Sequence, residues 1–341
     1  MKSESNFSLK TFNSFGVDAH AAQMLILESM DDIVDLRSCQ YQADIDLVLG
    51  GGSNMLFVSD VPGTVYLNRI KGRRLIEEDG DSVLIEAAAG ENWHQLVLWT
   101  LDQGYCGLEN LSLIPGLVGA APMQNIGAYG VEISSVLDSV TVFDWQQCEV
   151  VNIDVADCGF AYRDSRFKST EAGRFLILSA RLRLQKQFWP KISYAGLADE
   201  LSAMKSKQPG AREVSDAVIR IRQRKLPDPA VIGNAGSFFK NPEISIDHAD
   251  RLRTSENTLP VFPLNDSTSK LSAAWLIEQC GWKGFREGDA GVSPDHSLVL
   301  VNYGQASGME IYKLSKRISE SVSNRFGITL EREPQLFGAT D

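Results

Sequence analysis

The sequence predicts a chain of mixed strands and helices, folded as two or three packed units. Three observations lead there. The 341 residues exceed what a single hydrophobic core usually serves. Runs of period-two alternation are interleaved with helical patterns. Neither Gly-x-Gly-x-x-Gly nor Gly-x-x-x-x-Gly-Lys-[Ser/Thr] occurs, which argues against a dinucleotide-binding βαβ fold or a P-loop.

Taken in order, the polar opening Met1-Lys2-Ser3-Glu4-Ser5-Asn6 lacks the apolar stretch of a signal peptide. A short helix is expected over 30–39, on Ile33, Val34 and Leu36, and a strand over 44–49. Strands follow over 65–68, 74–77 and 82–88. A helix over 91–103 places Trp93, Leu96, Val97 and Leu101 on one face and stops at Gly104. Trp93 and Trp99 are read as core. Residues 136–143 and 148–154 form a hairpin. A strand over 175–184 puts Arg181 and Arg183 on its wet face. The lysine-bearing stretch 205–210 marks a unit boundary. A helix over 213–226 turns Val214, Val218 and Ile221 inward and ends in Arg220, Arg222, Arg224 and Lys225. That basic end suits a helix C-terminus, or phosphate binding. Beyond it come a helix over 271–280 closed by Gly281, a strand over 298–301, and a helix capped by Ser307 and Glu310. This last helix buries Ile311, Leu314, Ile318 and Val322 and stops at Gly327. The tail 330–338 resumes as a strand.

Composition narrows the function. A formal net charge of −11 argues against general binding to nucleic acid or anionic membranes. Hydrophobic content of 43% and charged content of 23% are ordinary for a globular protein. The 5 cysteines are widely spaced with no Cys-x-x-Cys, and the 4 histidines lie far apart, so neither disulfides nor a metal are expected. With no run long enough to span a membrane, a cytoplasmic location is expected.

Three stretches are unusual. Gly50-Gly51-Gly52-Ser53-Asn54, following a strand, either makes a flexible turn or exposes successive N–H groups as a nest for a pyrophosphate. Residues 113–130 are nearly uncharged and rich in small side chains, suited to packing flat against a planar ligand. The alternative is a buried helix start with two tight turns. Gln124 and Asn125 within it need hydrogen-bond partners if buried, and a polar heterocycle would supply them. Gly233-Asn234-Ala235-Gly236-Ser237-Phe238-Phe239-Lys240-Asn241-Pro242 is either a strand leaving a tight turn or an active-site loop. Phe238 and Phe239 would anchor the strand, and Asn241-Pro242 would end it. Arg163, in Tyr162-Arg163-Asp164-Ser165, could clamp a carboxylate or form a surface ion pair.

Read together, Leu49-Gly50-Gly51-Gly52-Ser53-Asn54, the segment from Ile114-Pro115-Gly116 to Gln124-Asn125-Ile126-Gly127-Ala128-Tyr129-Gly130, Tyr162-Arg163-Asp164-Ser165 and Gly236-Ser237-Phe238-Phe239-Lys240-Asn241-Pro242 resemble one family, UDP-N-acetylenolpyruvoylglucosamine reductase. This is the flavoenzyme of bacterial peptidoglycan precursor synthesis. The motifs occur in the family's order over nearly the whole chain. The resemblance implies an α+β fold: an FAD-binding unit of the vanillyl-alcohol-oxidase type over 10–187, with subdomains 10–70 and 71–187. A C-terminal α+β substrate domain over 211–328 and a tail over 329–341 returning to the active site complete it. FAD would be held non-covalently, with NADPH as co-substrate in a shared pocket, and the chain would be a monomer. Gly50, Gly51, Gly52, Ser53 and Asn54 would hold the pyrophosphate. Pro115, Gly116, Gly119, Gln124, Asn125, Gly127, Ala128 and Tyr129 would line the flavin. Tyr194 and the segment 243–270 look like the subclass that closes a tyrosine-bearing loop over substrate. Lys225 and Asn241 would contact substrate, as would His296, which stands where some relatives carry glutamine.

The chemistry implied is hydride transfer to C3 of an enolpyruvyl group, with negative charge spreading from C2 into the carboxylate. Arg163 would grip that carboxylate, and Ser237 would protonate C2. Glu333, neutral when the charge forms, would donate a hydrogen bond to it. These three groups are expected to converge over one isoalloxazine ring. Two other readings are an FAD-dependent oxidase on the same scaffold and a flavin or nucleotide binder without catalysis.

Overall fold

The structure is a computed structural model and describes residues 1–194, 196–205 and 208–339. The boundary stretch 205–210 thus falls partly outside the described residues, as do the last two residues of the 329–341 tail. The chain forms two compact units. The first comprises Met1–Phe7, Ala21–Gly52 and Val61–Arg224; the second comprises Ser8–His20, Ser53–Asp60 and Lys225–Asp341. Residues 10–20 and 53–60, expected within the 10–187 span, therefore pack with the C-terminal residues.

In the first unit a five-stranded antiparallel sheet runs Glu149–Asp154, Leu137–Asp144, Phe175–Gln185, Ser82–Ala88, Arg73–Glu78. Its alternation is the one read from sequence. Leu182 and Leu184 are buried, while Arg181 pairs with Glu86 at 2.9 Å and Arg183 reaches Glu77 and Asp138 at 3.5 Å. The helix Trp93–Asp102 packs on the apolar face, its N-terminus capped by the Asn92 side chain accepting from Gln95 N–H. Trp93 is buried and its indole N–H donates to the Leu111 carbonyl at 2.9 Å, a core residue as expected.

A second sheet in this unit orders Lys2–Ser8, His20–Leu27, Val61–Asn68, Leu47–Leu49. Its first two strands are not legible from the sequence: in Lys2–Ser8 every residue but Phe7 is polar and exposed, so no buried face imposes a pattern. The strand expected over 44–49 is only Leu47–Leu49, because Asp46 is a turn-former. Its buried carboxylate accepts from the N–H groups of Gln42 and Thr64 at 2.8 and 2.6 Å. A small core joins the helices Leu197–Ala203 and Ala211–Lys225 through Leu197, Leu201, Val214, Ala217, Val218 and Ile221.

In the second unit Gly233–Ser237, Val299–Asn302, Ala290–Val292 and Arg286–Glu287 make an antiparallel sheet in that order. The helix Gly308–Phe326 packs on it through the expected residues Ile311, Leu314, Ile318 and Val322. Ser307 and Glu310 form the capping box, and Gly327 ends the helix at φ +68°. The segment expected to belong to a closing loop contains a three-stranded sheet, Glu243–Ser245, Thr268–Leu271 and Val261–Pro263, with the helix Ile246–Ser255. The tail strand Gln335–Phe337 runs parallel to Met55–Phe57. Among the described residues, no helix is long and apolar enough to cross a membrane.

Two tests follow from this packing. A Cβ on Gly308 would overlap the Phe57 carbonyl oxygen, a backbone atom that cannot swing aside. Helix propensity alone favours alanine there by about 1 kcal/mol, yet Gly308→Ala should destabilise by about 2 kcal/mol through overpacking. A higher urea midpoint for the variant would contradict this. The second test concerns Asp144. Burial pushes its carboxyl up, but the hydrogen bond from Arg174 at 2.7 Å, the Gln146 and Gln147 amides and the Arg174 charge outweigh it, leaving the pKa below the usual value. A depressed carboxylate contributes stability above its unfolded pKa of about 4 and loses it as pH falls through the folded value. Asp144→Asn should therefore cost about 2 kcal/mol at pH 7, with the deficit shrinking in urea titrations run progressively below pH 4.

Candidate active site

The strand Leu47–Leu49 delivers Gly50, Gly51 and Gly52 into a loop, and the chain enters the second unit at Ser53. Gly52 has φ +60°. A Cβ on Gly51 would lie 3.2 Å from the Cα of Gly116, and one on Gly50 would meet Leu117 at 3.8 Å. The two expected cofactor loops of the first unit are thus packed backbone to backbone. Gly119 donates to the Ala89 carbonyl at 2.9 Å, and a Cβ there would come 2.6 Å from that of Ala89. Pro115 is exposed, and Gln124 and Ala128 are half-buried along the same segment.

Strain concentrates here. Of seven non-glycine residues with positive φ among those described, four are Leu113, Asn125, Tyr129 and Arg163, at +58°, +45°, +49° and +55°. Such conformations persist only where surroundings enforce them. His94 supplies one restraint, its Nδ1 accepting from Leu113 N–H at 3.0 Å. Burial, then the charges of Arg222 and Arg212, push this imidazole's pKa down, which keeps it neutral and able to accept. Asn125 supplies another. Its amide donates to Glu132 at 2.9 Å and to the Ala161 carbonyl at 3.1 Å, and accepts from Ser134 N–H at 3.1 Å. These protein partners hold the shape of the segment around Asn125.

The bond to Ala161 leads into the turn that carries Arg163, closed by mutual backbone hydrogen bonds between Ala161 and Asp164. From that turn the Arg163 guanidinium donates to the Gly127 carbonyl at 2.6 Å. A Cβ at 127 would lie 2.8 Å from Arg163 Nη1, so a side chain there would push the guanidinium off this contact. Tyr194, half exposed, meets the Tyr129 ring edge-on at 5.3 Å. Beneath them the buried Asn110 amide donates to the carbonyls of Tyr129 and Lys191, both at 2.8 Å. Arg163, Tyr194 and the residues of this unit expected to line a flavin therefore form one connected group. Nothing in the sequence around Asn110 marks it out.

In the second unit, Ser237 ends the strand Gly233–Ser237 beyond a break in register: Asn234 faces Val301, but Ser237 faces Val299. The expected anchors Phe238 and Phe239 lie just past the strand, fully buried and edge-to-face at 5.3 Å. Phe238 accepts at its carbonyl from Glu333 N–H at 2.9 Å, so Ser237 and Glu333 stand on neighbouring backbone. Asn54 closes the same group. Its carbonyl accepts from Gln335 N–H at 3.0 Å, and its amide donates to the Glu333 carbonyl at 3.3 Å. That amide, expected to add to an anion nest, also holds the tail.

Asn241 accepts with its side-chain oxygen from Ala273 N–H at 3.0 Å, at the start of the helix Ala273–Gln279. His296 is pushed down in pKa by burial and then by the charges of Lys225 and Lys283. With Nδ1 accepting from Leu298 N–H at 3.3 Å, the neutral ring carries its proton on Nε2. Lys225, the last residue of Ala211–Lys225, thus bears electrostatically on His296.

Comparisons with known proteins agree along the whole chain. Residues 21–154 match the FAD binding domain family, and residues 228–337 match the UDP-N-acetylenolpyruvoylglucosamine reductase C-terminal domain. The UDP-N-acetylenolpyruvoylglucosamine reductase of Pseudomonas fluorescens is 50% identical, covering 98% of both chains. That of Xanthomonas axonopodis pv. citri is 47% identical over 97% of this chain and 95% of its own. The crystal structure of the Thermus caldophilus reductase superposes with a TM-score of 0.67 at 25% identity, covering 98% of each chain. The chain belongs to the UDP-N-acetylenolpyruvoylglucosamine reductase family.

Proposed function

We propose that this enzyme reduces the enolpyruvyl group of UDP-N-acetylglucosamine enolpyruvate to UDP-N-acetylmuramate, using FAD and NADPH, in peptidoglycan precursor synthesis. Full-length identity of 50% to a named reductase is the observation that carries the reading. The residues present fit FAD. A Cβ on Gly51 would crowd the Gly116 backbone at 3.2 Å, and Gly52 has the positive φ of a nest. The segment from Gly116 to Tyr129 offers a nearly uncharged surface to a flat ring. Gly50, Gly51, Gly52, Ser53 and Asn54 would hold the pyrophosphate, and residues 115–129 the flavin. FAD held there would supply hydride chemistry, with NADPH as the hydride source and C3 of the enolpyruvyl group as its destination.

The chain's own residues then manage charge and proton. Arg163 is assigned the substrate carboxylate, whose growing charge a planar guanidinium can grip with two parallel hydrogen bonds. Its anchorage at Gly127 pre-orients it, so little reorganisation is needed as charge develops. Ser237 gives its hydroxyl proton to C2. Glu333, as a neutral carboxyl, donates a hydrogen bond to the developing anion; an ionised one would oppose the reaction. Lys225, Asn241, Tyr194 and His296 bind the nucleotide portion through a cation, an amide, a ring and an N–H. The enzyme is assigned to the cytoplasm as a monomer.

Two kinetic outcomes test the assignments. Under nitrogen, Ser237→Ala should be bleached by NADPH at the wild-type rate, yet reoxidise with the enolpyruvyl substrate ~10²–10⁴ times more slowly. Loss of both half-reactions would make Ser237 a folding residue. Arg163→Lys keeps the charge but not the two-pronged grip, and should lower kcat/KM by roughly 10–100-fold, as loss of a charged hydrogen bond does. Unchanged kcat/KM would remove Arg163 from the carboxylate.

A further inference from the structure

We propose that Asn234 is a positioning residue for the Ser237 hydroxyl, acting through the irregularity in the strand that carries it. The inference rests on the reading of Ser237 as proton donor. Between the pairs Asn234/Val301 and Ser237/Val299, two residues, Ala235 and Gly236, stand opposite the single residue Leu300. This is a β-bulge, a device that re-aims the side chain that follows it. Gly236 adopts φ +72°, which a side chain would resist. Its N–H donates to Asn234 Oδ1 at 3.0 Å. The same amide donates to the Ile232 carbonyl at 2.8 Å and to the Pro227 carbonyl at 3.0 Å.

Asn234 is buried, so both of its N–H groups and its acceptor oxygen are spent on backbone with no water to replace them. Pro227 lies two residues beyond Lys225, assigned above to the substrate phosphates. One side chain therefore sets the bulge below Ser237 and the turn after Lys225 together. No other residue type does both. Aspartate keeps the acceptor but loses the two donors, alanine loses all three bonds, and glutamine is one carbon too long.

The experiment is anaerobic stopped-flow on the flavin-loaded Asn234→Asp and Asn234→Ala enzymes. Bleaching by NADPH should stay near the wild-type rate. Reoxidation by UDP-N-acetylglucosamine enolpyruvate should slow by up to ~10²-fold, the cost of a displacement on the order of 1 Å. The solvent deuterium isotope effect on that step should rise, because proton delivery becomes more limiting. Asn234→Asp should recover partly as pH falls, since a protonated carboxyl regains one donor. Wild-type reoxidation, equal loss of both half-reactions, or failure of both variants to fold would overturn the proposal. Ser237→Ala, run alongside, separates the two ideas. If it reoxidises normally, the reading of Ser237 and the role of Asn234 fall together; if only the Asn234 variants reoxidise normally, Asn234 alone is misassigned.

Discussion

The backbone hydrogen bonds of the C-terminal tail are the constraint on which the second unit depends. Lys240 N–H donates to Glu331, Glu333 N–H to Phe238, and Gln335 N–H to Asn54, at 2.9, 2.9 and 3.0 Å. The tail thus links the segment around Ser237 to residues 54–57, far away in sequence. Backbone pairing of this kind does not depend on which side chains the residues carry. Positions 237 and 333 are therefore free to carry reactive groups, while buried Phe238 and Phe239 fix the strand path between them.

The first unit reaches its rigidity by a different route. Positive φ at Leu113, Asn125 and Tyr129 is unfavourable for each residue alone. Each is offset by a buried or half-buried polar side chain bonded to backbone: His94 to Leu113, the Asn125 amide to Ala161 and Ser134, and Asn110 to Tyr129. Ser165 adds a further bond, from its hydroxyl to the Met123 carbonyl at 2.5 Å. Under the proposed assignment of this segment to the flavin, a surface held this way is preorganised for it.

Electrostatics follow the same local logic. The chain as a whole carries −11, which repels an anionic substrate. Yet His94 and His296 both lie where burial and neighbouring cations lower their pKa. For His94 the cations are Arg222 and Arg212, and for His296 they are Lys225 and Lys283. Burial is the larger cause for both rings, and the neighbouring cations act in the same direction.

Much of this was legible in the sequence because it is encoded locally. The capping box at Ser307 and Glu310, the alternation around Arg181 and Arg183, and the glycine loops at 50–52 and 116–119 are short-range patterns with short-range causes. The family was legible for the same reason, since its motifs are contiguous runs. The strands Lys2–Ser8 and His20–Leu27 were not, because edge and parallel pairing is chosen by partners distant in the chain. Nor were the roles of Asn110, Asn125 and Asn234 as backbone clamps. An asparagine looks the same in sequence whether it faces a ligand or a carbonyl. Only the folded chain decides which, because burial fixes how many of its hydrogen bonds the protein must itself supply.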